Sequence, residues 1–230
     1  MRINKLLSNY GYCSRKEANI YINEGRIRIN GMIGTPGQWV EETDDITLDG
    51  SAVIPLKPVY LLLNKPPGVT CTRDQEVEDN IISFLGIEEY VFPVGRLDKD
   101  SQGLIILTND GELANGILEA DHDHEKEYHV TVDKDYGDEF LDSLSSGVDI
   151  RIGRTRPCQV TRVSVRSFDI TLTQGLNRQI RRMCRAFGYT VTSLERRRIL
   201  NLHLNDLAQG SWRELTQEEL TCLKSIIRMK

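Results

Sequence analysis

A chain of 230 residues with a formal net charge of −5 has room for one large domain, or for a small domain followed by a medium one. Its longest apolar runs are five or six residues, too short to span a bilayer. Its five cysteines are scattered with no Cys-x-x-Cys pair, which excludes a structural zinc site and a disulfide framework and points to reduced thiols in the cytoplasm.

The first residues, Met1-Arg2-Ile3-Asn4-Lys5, lack the apolar core of a secretory signal. Ile3, Leu6, Leu7 and Tyr10 recur at helical spacing and Gly11 supplies a stop. A second helix opens at Ser14, where Ser14-x-x-Glu17 forms a capping box, and runs to Gly25. Arg26 to Asn30 alternates like a strand and ends in an Asn30-Gly31 turn. Asp45-Ile46-Thr47-Leu48 reads as another short strand, closed by Asp49-Gly50. Residues 1–30 carry six cations against two acids, a local charge of +4.

Residues 51–59 contain two prolines and few periodic cues and read as a linker, which sets domains of 1–52 and 60–230 on either side of 53–59. Tyr60-Leu61-Leu62-Leu63 is a buried strand that runs into the rigid turn Asn64-Lys65-Pro66-Pro67-Gly68. Lys65 is there either a phosphate contact or a surface residue beside the turn. Asn80 to Phe84 reads as a short helix, and Val91 to Val94 leads into Gly95-Arg96-Leu97-Asp98-Lys99-Asp100-Ser101-Gln102-Gly103. This charged loop empties into Leu104-Ile105-Ile106-Leu107, an apolar β-branched run of buried-strand type. A loop held on such a rigid element is where catalytic groups sit, and either Asp98 or Asp100 fits a catalytic carboxylate. A solvated turn with surface ion pairs is the competing reading.

A helix over 112–119 follows, and then Asp121-His122-Asp123-His124-Glu125, whose compact spacing reads as a polar loop rather than a metal site. Lys126 to Val132 alternates as a strand, with Tyr128 as a core residue or a base-stacking aromatic. A helix over 138–146 and strands around 158–165 and 168–173 lead to Gln174-Gly175-Leu176-Asn177. In the helix that follows, with Asn177 as N-cap and Gly188 as stop, Arg178, Arg181, Arg182 and Arg185 form one stripe. Ile180, Met183, Cys184 and Phe187 form the opposite one. Like charges in a stripe repel, so an anionic partner accounts for them. Arg196-Arg197-Arg198 comes after a strand over 190–194, and Thr216-x-x-Glu219 caps a terminal helix. Residues 177–198 reach a local +6, so the two basic islands together leave the rest of the chain at −15. Focused cation islands on an acidic body are a footprint of polyanion binding. No P-loop, dinucleotide fingerprint or Ser-His-Asp pattern is present, so the expected chemistry uses no cofactor and no metal.

Residues 2–50, through Cys13-Ser14-Arg15-Lys16-Glu17-Ala18 and Gly25-Arg26-Ile27-Arg28-Ile29-Asn30-Gly31, resemble an S4-type RNA-binding domain. The loop Gly95 to Leu104, with Asn64-Lys65-Pro66-x-Gly68, Lys126-Glu127-Tyr128 and Gln174 to Met183, resembles the motifs of the RsuA/RluF-type ribosomal pseudouridine synthases. Asp123 to Tyr128 and Asn177 lean to the RluF-type subgroup that acts on 23S ribosomal RNA, although the basic C-terminal extension of some members is missing.

The resemblance implies an α+β chain. A small S4-like α/β RNA-binding domain precedes a catalytic domain built on a mixed, mainly antiparallel sheet flanked by helices. It implies isomerisation of a uridine to pseudouridine with base flipping, by a cytoplasmic monomer whose partner is ribosomal RNA. It selects Asp98 over Asp100 as the catalytic carboxylate, pairs it with Arg181, and gives Tyr128 the stacking and proton-accepting role. Arg96 fills the gap left by the flipped nucleotide, while Arg15, Lys16 and Arg26 meet RNA phosphates. Arg178, Arg182 and Arg185 join them as RNA-binding residues. The rival is a non-catalytic S4-type RNA-binding or ribosome-assembly factor, in which Asp98 is structural.

Overall fold

The computed structural model describes residues 1–118 and 123–228. The chain opens with α1 (Ile3–Asn9) and α2 (Arg15–Asn23), followed by β1 (Ile27–Ile29), β2 (Met32–Ile33), β3 (Ile46–Leu48) and β4 (Ser51–Ala52). The capping box at Ser14 is complete: its Oγ accepts from the Glu17 N–H at 3.1 Å, and Glu17 Oε2 accepts from the Ser14 N–H at 2.7 Å. Asn30 and Gly31 both take positive φ, the geometry that turns β1 tightly back into β2. The four strands lie in the order β2-β1-β3-β4. Ile3, Leu6, Leu7, Ala18, Ile22 and Ile27 form the interior, as the helical spacing requires.

The remainder contains β5 (Tyr60–Lys65), α3 (Ile81–Leu85), β6 (Phe92–Val94), β7 (Gln102–Thr108), α4 (Gly111–Leu118) and β8 (Lys126–Val132). After these come α5 (Asp138–Ser145), β9 (Asp149–Ile150), β10 (Gly153–Arg154), β11 (Gln159–Arg162), β12 (Ser167–Leu172) and α6 (Gln179–Ala186). The chain closes with β13 (Val191–Ile199), β14 (Leu202–His203), β15 (Trp212–Glu214) and α7 (Gln217–Arg228). One nine-stranded sheet runs β11-β12-β8-β13-β7-β5-β15, with β14 on β13 and β6 on β7. Its β13–β7 pair is parallel, and the others are antiparallel. The sheet is therefore mixed and mainly antiparallel, as expected.

β7 shows no alternation because both of its faces are covered. Leu104 and Ile106 pack with Leu113, Ile117 and Leu223 of α4 and α7, while Ile105 and Leu107 pack with Leu61, Leu63, Ile81 and Leu85. A third cluster, including Val130, Leu144, Phe168, Met183 and Leu194, fixes α5 and α6 on the sheet. No helix of the described residues is long and apolar enough to cross a membrane.

Three local expectations are corrected. β13 does not end before the arginine run but carries it, since Arg196 and Arg198 pair with Tyr128 and Glu127 of β8. Asn177 does not cap α6: Arg178 occupies the cap with φ 50°, and the Asn177 Oδ1 accepts instead from Arg182 Nη2 at 3.1 Å. Phe187 stays exposed, touching Phe140 edge-on at the helix end rather than completing the buried stripe.

Candidate active site

The loop between β6 and β7 is braced from below. The Leu97 side chain is buried, and its N–H points at Cys71 Sγ at 3.4 Å. Lys65, at the end of β5, has no exposed surface and donates to the carbonyls of Pro66 at 2.9 Å, Val69 at 2.8 Å and Lys99 at 3.5 Å. Burial pushes its ammonium below the ordinary lysine range. Lys65 is thus neither a phosphate contact nor a surface residue. It ties the Pro-Pro-Gly turn to the aspartate loop, together with the Gly68 N–H on Lys99 O at 2.7 Å.

Asp98 itself is about a quarter exposed, and its backbone oxygen accepts from the Ser101 N–H at 3.0 Å to close the turn. Its Oδ2 lies 3.3 Å from Arg178 Nη1 and 3.7 Å from Arg181 Nε. Arg181 is mostly buried, donating to Val191 O at 3.1 Å, Ser101 Oγ at 3.1 Å and Asp100 O at 3.3 Å. Its Nε is shut off from solvent with no hydrogen-bond acceptor, so it faces Asp98 across a gap that an ion pair can close. Asp100 differs. It is half exposed, and Arg178 grips both of its oxygens at 3.2 Å. Partial burial works against its charge, but the Arg178 fork and the Arg181 charge outweigh this and hold its carboxyl below the usual range. Of the two carboxylates, Asp98 is the one whose oxygens are not already saturated.

The loop runs between two cavities. Arg96 borders one of about 390 Å³, whose wall includes Lys126, Tyr128, Leu176 and Arg196. Asp100 borders the other, of about 880 Å³, with Arg151, Arg178, Arg181, Arg182 and Arg185. The first is within the size range of small-molecule sites. The second is basic along one helix face. Tyr128 is half-buried on β8, packed against two core clusters and bordering the first cavity.

The arginines are more committed than their sequence pattern suggested. Arg182 holds Asn177 O at 2.9 Å, leaving Arg185 exposed at the helix end. In the later run, Arg197 pairs with Glu195 at 2.9 Å, and Arg198 pairs with Glu125 at 2.9 Å and Glu127 at 3.1 Å. In the amino-terminal module, Arg15 and Lys16 stand exposed on the first turn of α2. The helix dipole disfavours cations at that end, so an anion arriving there is doubly stabilised. Arg26 is already satisfied by Asp49, 2.6 Å from its Nη2, and lies 4.3 Å over the Tyr21 ring.

Of the polar run 121–125, Asp121 and His122 lie outside the described residues. His124 is buried with Nδ1 at 3.0 Å from Ile117 O. No group of three or more His, Cys, Asp or Glu residues that could hold a metal occurs among the described residues. Sequence reasoning missed Lys65 and Arg196 as interior residues and Ser101 as an Arg181 acceptor. The available signal for Arg196 was its place after the buried-strand pattern of Val191 and Leu194.

A family model of RNA pseudouridylate synthase matches residues 59–186, and an S4 domain model matches residues 1–46. The chain is 48% identical over 230 residues to the dual-specificity RNA pseudouridine synthase RluF of Escherichia coli K12, covering 99% of this chain and 79% of that protein. It is 34% identical to the ribosomal large subunit pseudouridine synthase B of Bacillus subtilis, covering 98% and 96% of the two chains. A crystal structure of a pseudouridylate synthase superposes with a TM-score of 0.72 at 28% identity, covering 97% of this chain and 99% of the other. The aspartate loop and α6 both fall within the matched residues 59–186, behind the S4 match at 1–46: the chain belongs to the RNA pseudouridylate synthase family.

Proposed function

We propose that this RNA pseudouridine synthase isomerises a uridine of 23S ribosomal RNA, with Asp98 as its catalytic carboxylate. The observation that carries the reading is the placement of Asp98 on a braced loop, opposite a mostly buried Arg181 whose Nε has no other acceptor. The 23S assignment draws on the likeness to RluF and to the large-subunit enzyme of Bacillus subtilis.

In the proposed reaction the target nucleotide leaves its stack, and Arg96 fills the space it vacates. Stacking on Tyr128 offsets part of an unstacking cost of a few kcal/mol. Asp98 drives cleavage of the C1′–N1 bond, the uracil rotates, and C5 joins C1′. Arg181 holds Asp98 in place. Residues 1–52 supply RNA affinity and residues 60–230 the chemistry, in a monomer working in the cytoplasm. The test is mapping of pseudouridine in ribosomal RNA from cells lacking the protein. One 23S position should revert to uridine and recover on complementation. An unchanged map would favour the rival, a non-catalytic RNA-binding factor.

Tyr128→Phe keeps the stacking ring and removes the hydroxyl. If that hydroxyl receives the C5 proton, single-turnover product formation falls about a hundredfold with RNA affinity unchanged. Unchanged turnover would leave Tyr128 as a stacking platform alone. Replacing Arg15 and Lys16 with Ala should weaken binding of a ribosomal fragment and reduce the slope of log K against log salt by about two, one for each phosphate that is no longer neutralised. Turnover at saturating RNA should be unchanged. A slope equal to that of the wild type would place the phosphate-binding cations elsewhere on the chain.

A further inference from the structure

The cavity beside Tyr128 has a cationic wall that the mechanism above does not use. Arg196 lies directly opposite Tyr128 in the β13–β8 ladder and is only 3% exposed. Its Nε donates to Leu104 O at 2.7 Å, whereas its Nη2 is closed off from solvent with no acceptor. Among the described residues no carboxylate forms an ion pair with it, and the nearby Glu125 and Glu127 are committed to Arg198. Lys126 lines the same cavity, its ammonium held at 3.1 Å by His124 O. Burial, and then the charge of Arg196, push the Lys126 ammonium below its ordinary range. A buried guanidinium N–H without a partner is costly, and two cations beside one cavity repel. Two cationic side chains bordering one cavity favour an electron-rich occupant there.

We propose that Arg196, assisted by Lys126, hydrogen-bonds the carbonyl oxygens of the flipped uracil and holds the negative charge the ring acquires on cleavage. This rests on the reading of Asp98 and Tyr128 given above. When the C1′–N1 bond breaks, its electron pair stays with the ring and spreads over O2 and O4. The sugar either bonds to an Asp98 oxygen or passes its C2′ proton to Asp98, leaving a C1′=C2′ double bond. C5 then bonds to C1′ as the sugar–Asp98 bond breaks, or as Asp98 returns its proton to C2′ across the double bond. This leaves a neutral ring with a tetrahedral C5, and loss of the C5 proton with gain of a proton at N1 restores the conjugated base. No oxidant or reductant is involved. A fixed donor positioned against the forming anion acts on the transition state without reorganising.

The symmetry of uracil makes one donor position serve both halves of the reaction. Half a turn about the N3···C6 axis exchanges N1 with C5 and also exchanges O2 with O4. A donor aimed at one carbonyl oxygen before rotation therefore meets the other afterwards. Cytosine carries an amino group in place of O4, so in one of the two orientations it would set donor against donor. The same residue thus stabilises the intermediate and selects the base.

The test uses the full-length protein with Arg196→Met and Arg196→Lys and the ribosomal stem-loop containing the uridine identified by mapping. A second RNA carries 5-fluorouridine at that position, a ring that bears negative charge more readily. Single-turnover loss of the target nucleoside is followed by chromatography of digests, alongside RNA affinity and Tm. Arg196→Met should slow the uridine reaction about a hundredfold at unchanged affinity, and the deficit should shrink to about tenfold or less with 5-fluorouridine. Arg196→Lys, which keeps the charge without the fork, should fall between the two and retains a stem to fill the site if the Met variant is unstable. An equal deficit on both RNAs, or none on either, would overturn the inference and leave Arg196 as a strut between β13 and β7. If the wild-type protein converts neither RNA, the reading of Asp98 fails first and takes this one with it.

Discussion

Asp98→Asn is expected to lower pseudouridine formation by about a thousandfold or more, equivalent to roughly 4 kcal/mol of transition-state stabilisation. RNA affinity should be unchanged. The substitution is nearly isosteric and removes the oxygen that Arg178 Nη1 and Arg181 Nε face at 3.3 and 3.7 Å. Arg181 keeps its bonds to Val191 O, Ser101 Oγ and Asp100 O, and Arg178 keeps both oxygens of Asp100. The loss of stability should therefore stay within about 1 kcal/mol, below the several kcal/mol that follow when a buried charge is left with no partner. Asp100→Asn is the matched comparison. It weakens the fork with Arg178 on a half-exposed residue and should slow turnover by no more than about tenfold, or roughly 1.4 kcal/mol. Nucleoside analysis of digested RNA after single turnover reads both variants. Substantial product from Asp98→Asn, or the reverse ranking of the two, would remove Asp98 from the chemistry.

The difference between these carboxylates marks how far the residues alone could be read. The signals that held are short-range. Ser14 and Glu17, or Thr216 and Glu219, satisfy each other within one helical turn, so their geometry does not depend on the rest of the fold. Leu104 to Leu107 is buried on both faces, and an uninterrupted apolar run states that directly. What was hidden depends on partners distant in the chain. β15 exists because Trp212 to Glu214 meets Leu61 to Leu63. Lys65 reads as a phosphate contact or a surface residue and Arg196 as part of a basic island, since charge is ordinarily solvated, yet each is buried and donates to backbone carbonyls. Asn177 has the right side chain for a cap, but Arg182 reaches it first. The choice between Asp98 and Asp100 needed the family resemblance at first. The structure adds a physical reason for it in the unequal saturation of the two side chains.

Gly103→Ala should be the most destabilising single methyl in the catalytic body. Gly103 has φ +106°, and a Cβ placed there would sit 2.3 Å from Arg196 O and 2.6 Å from Arg196 N. Both obstacles are backbone atoms of the neighbouring strand, so no rotamer change can relieve the clash. Overpacking and an unfavourable φ each cost about 1–3 kcal/mol, which together give roughly 4 kcal/mol, a large part of the stability of a typical domain. The strain falls on the parallel β7–β13 pairing, where Gly103 faces Arg196 and Gln102 faces Glu195. That pairing carries the loop of Asp98 at one end of β7 and presents Arg196 to the cavity on the other strand, so relaxation by separating the strands would move both groups. Gly68→Ala provides the control. Gly68 has φ +93° with nothing within 4 Å of its would-be Cβ, so it bears only the backbone term, about 1 kcal/mol or slightly more. Urea unfolding of the two variants separates the terms. Gly103→Ala should lose several times the stability lost by Gly68→Ala, and the fraction that remains folded should show a lowered turnover. Equal losses would mean that β7 and β13 part without penalty, and that their close approach is not what holds the aspartate loop against the sheet.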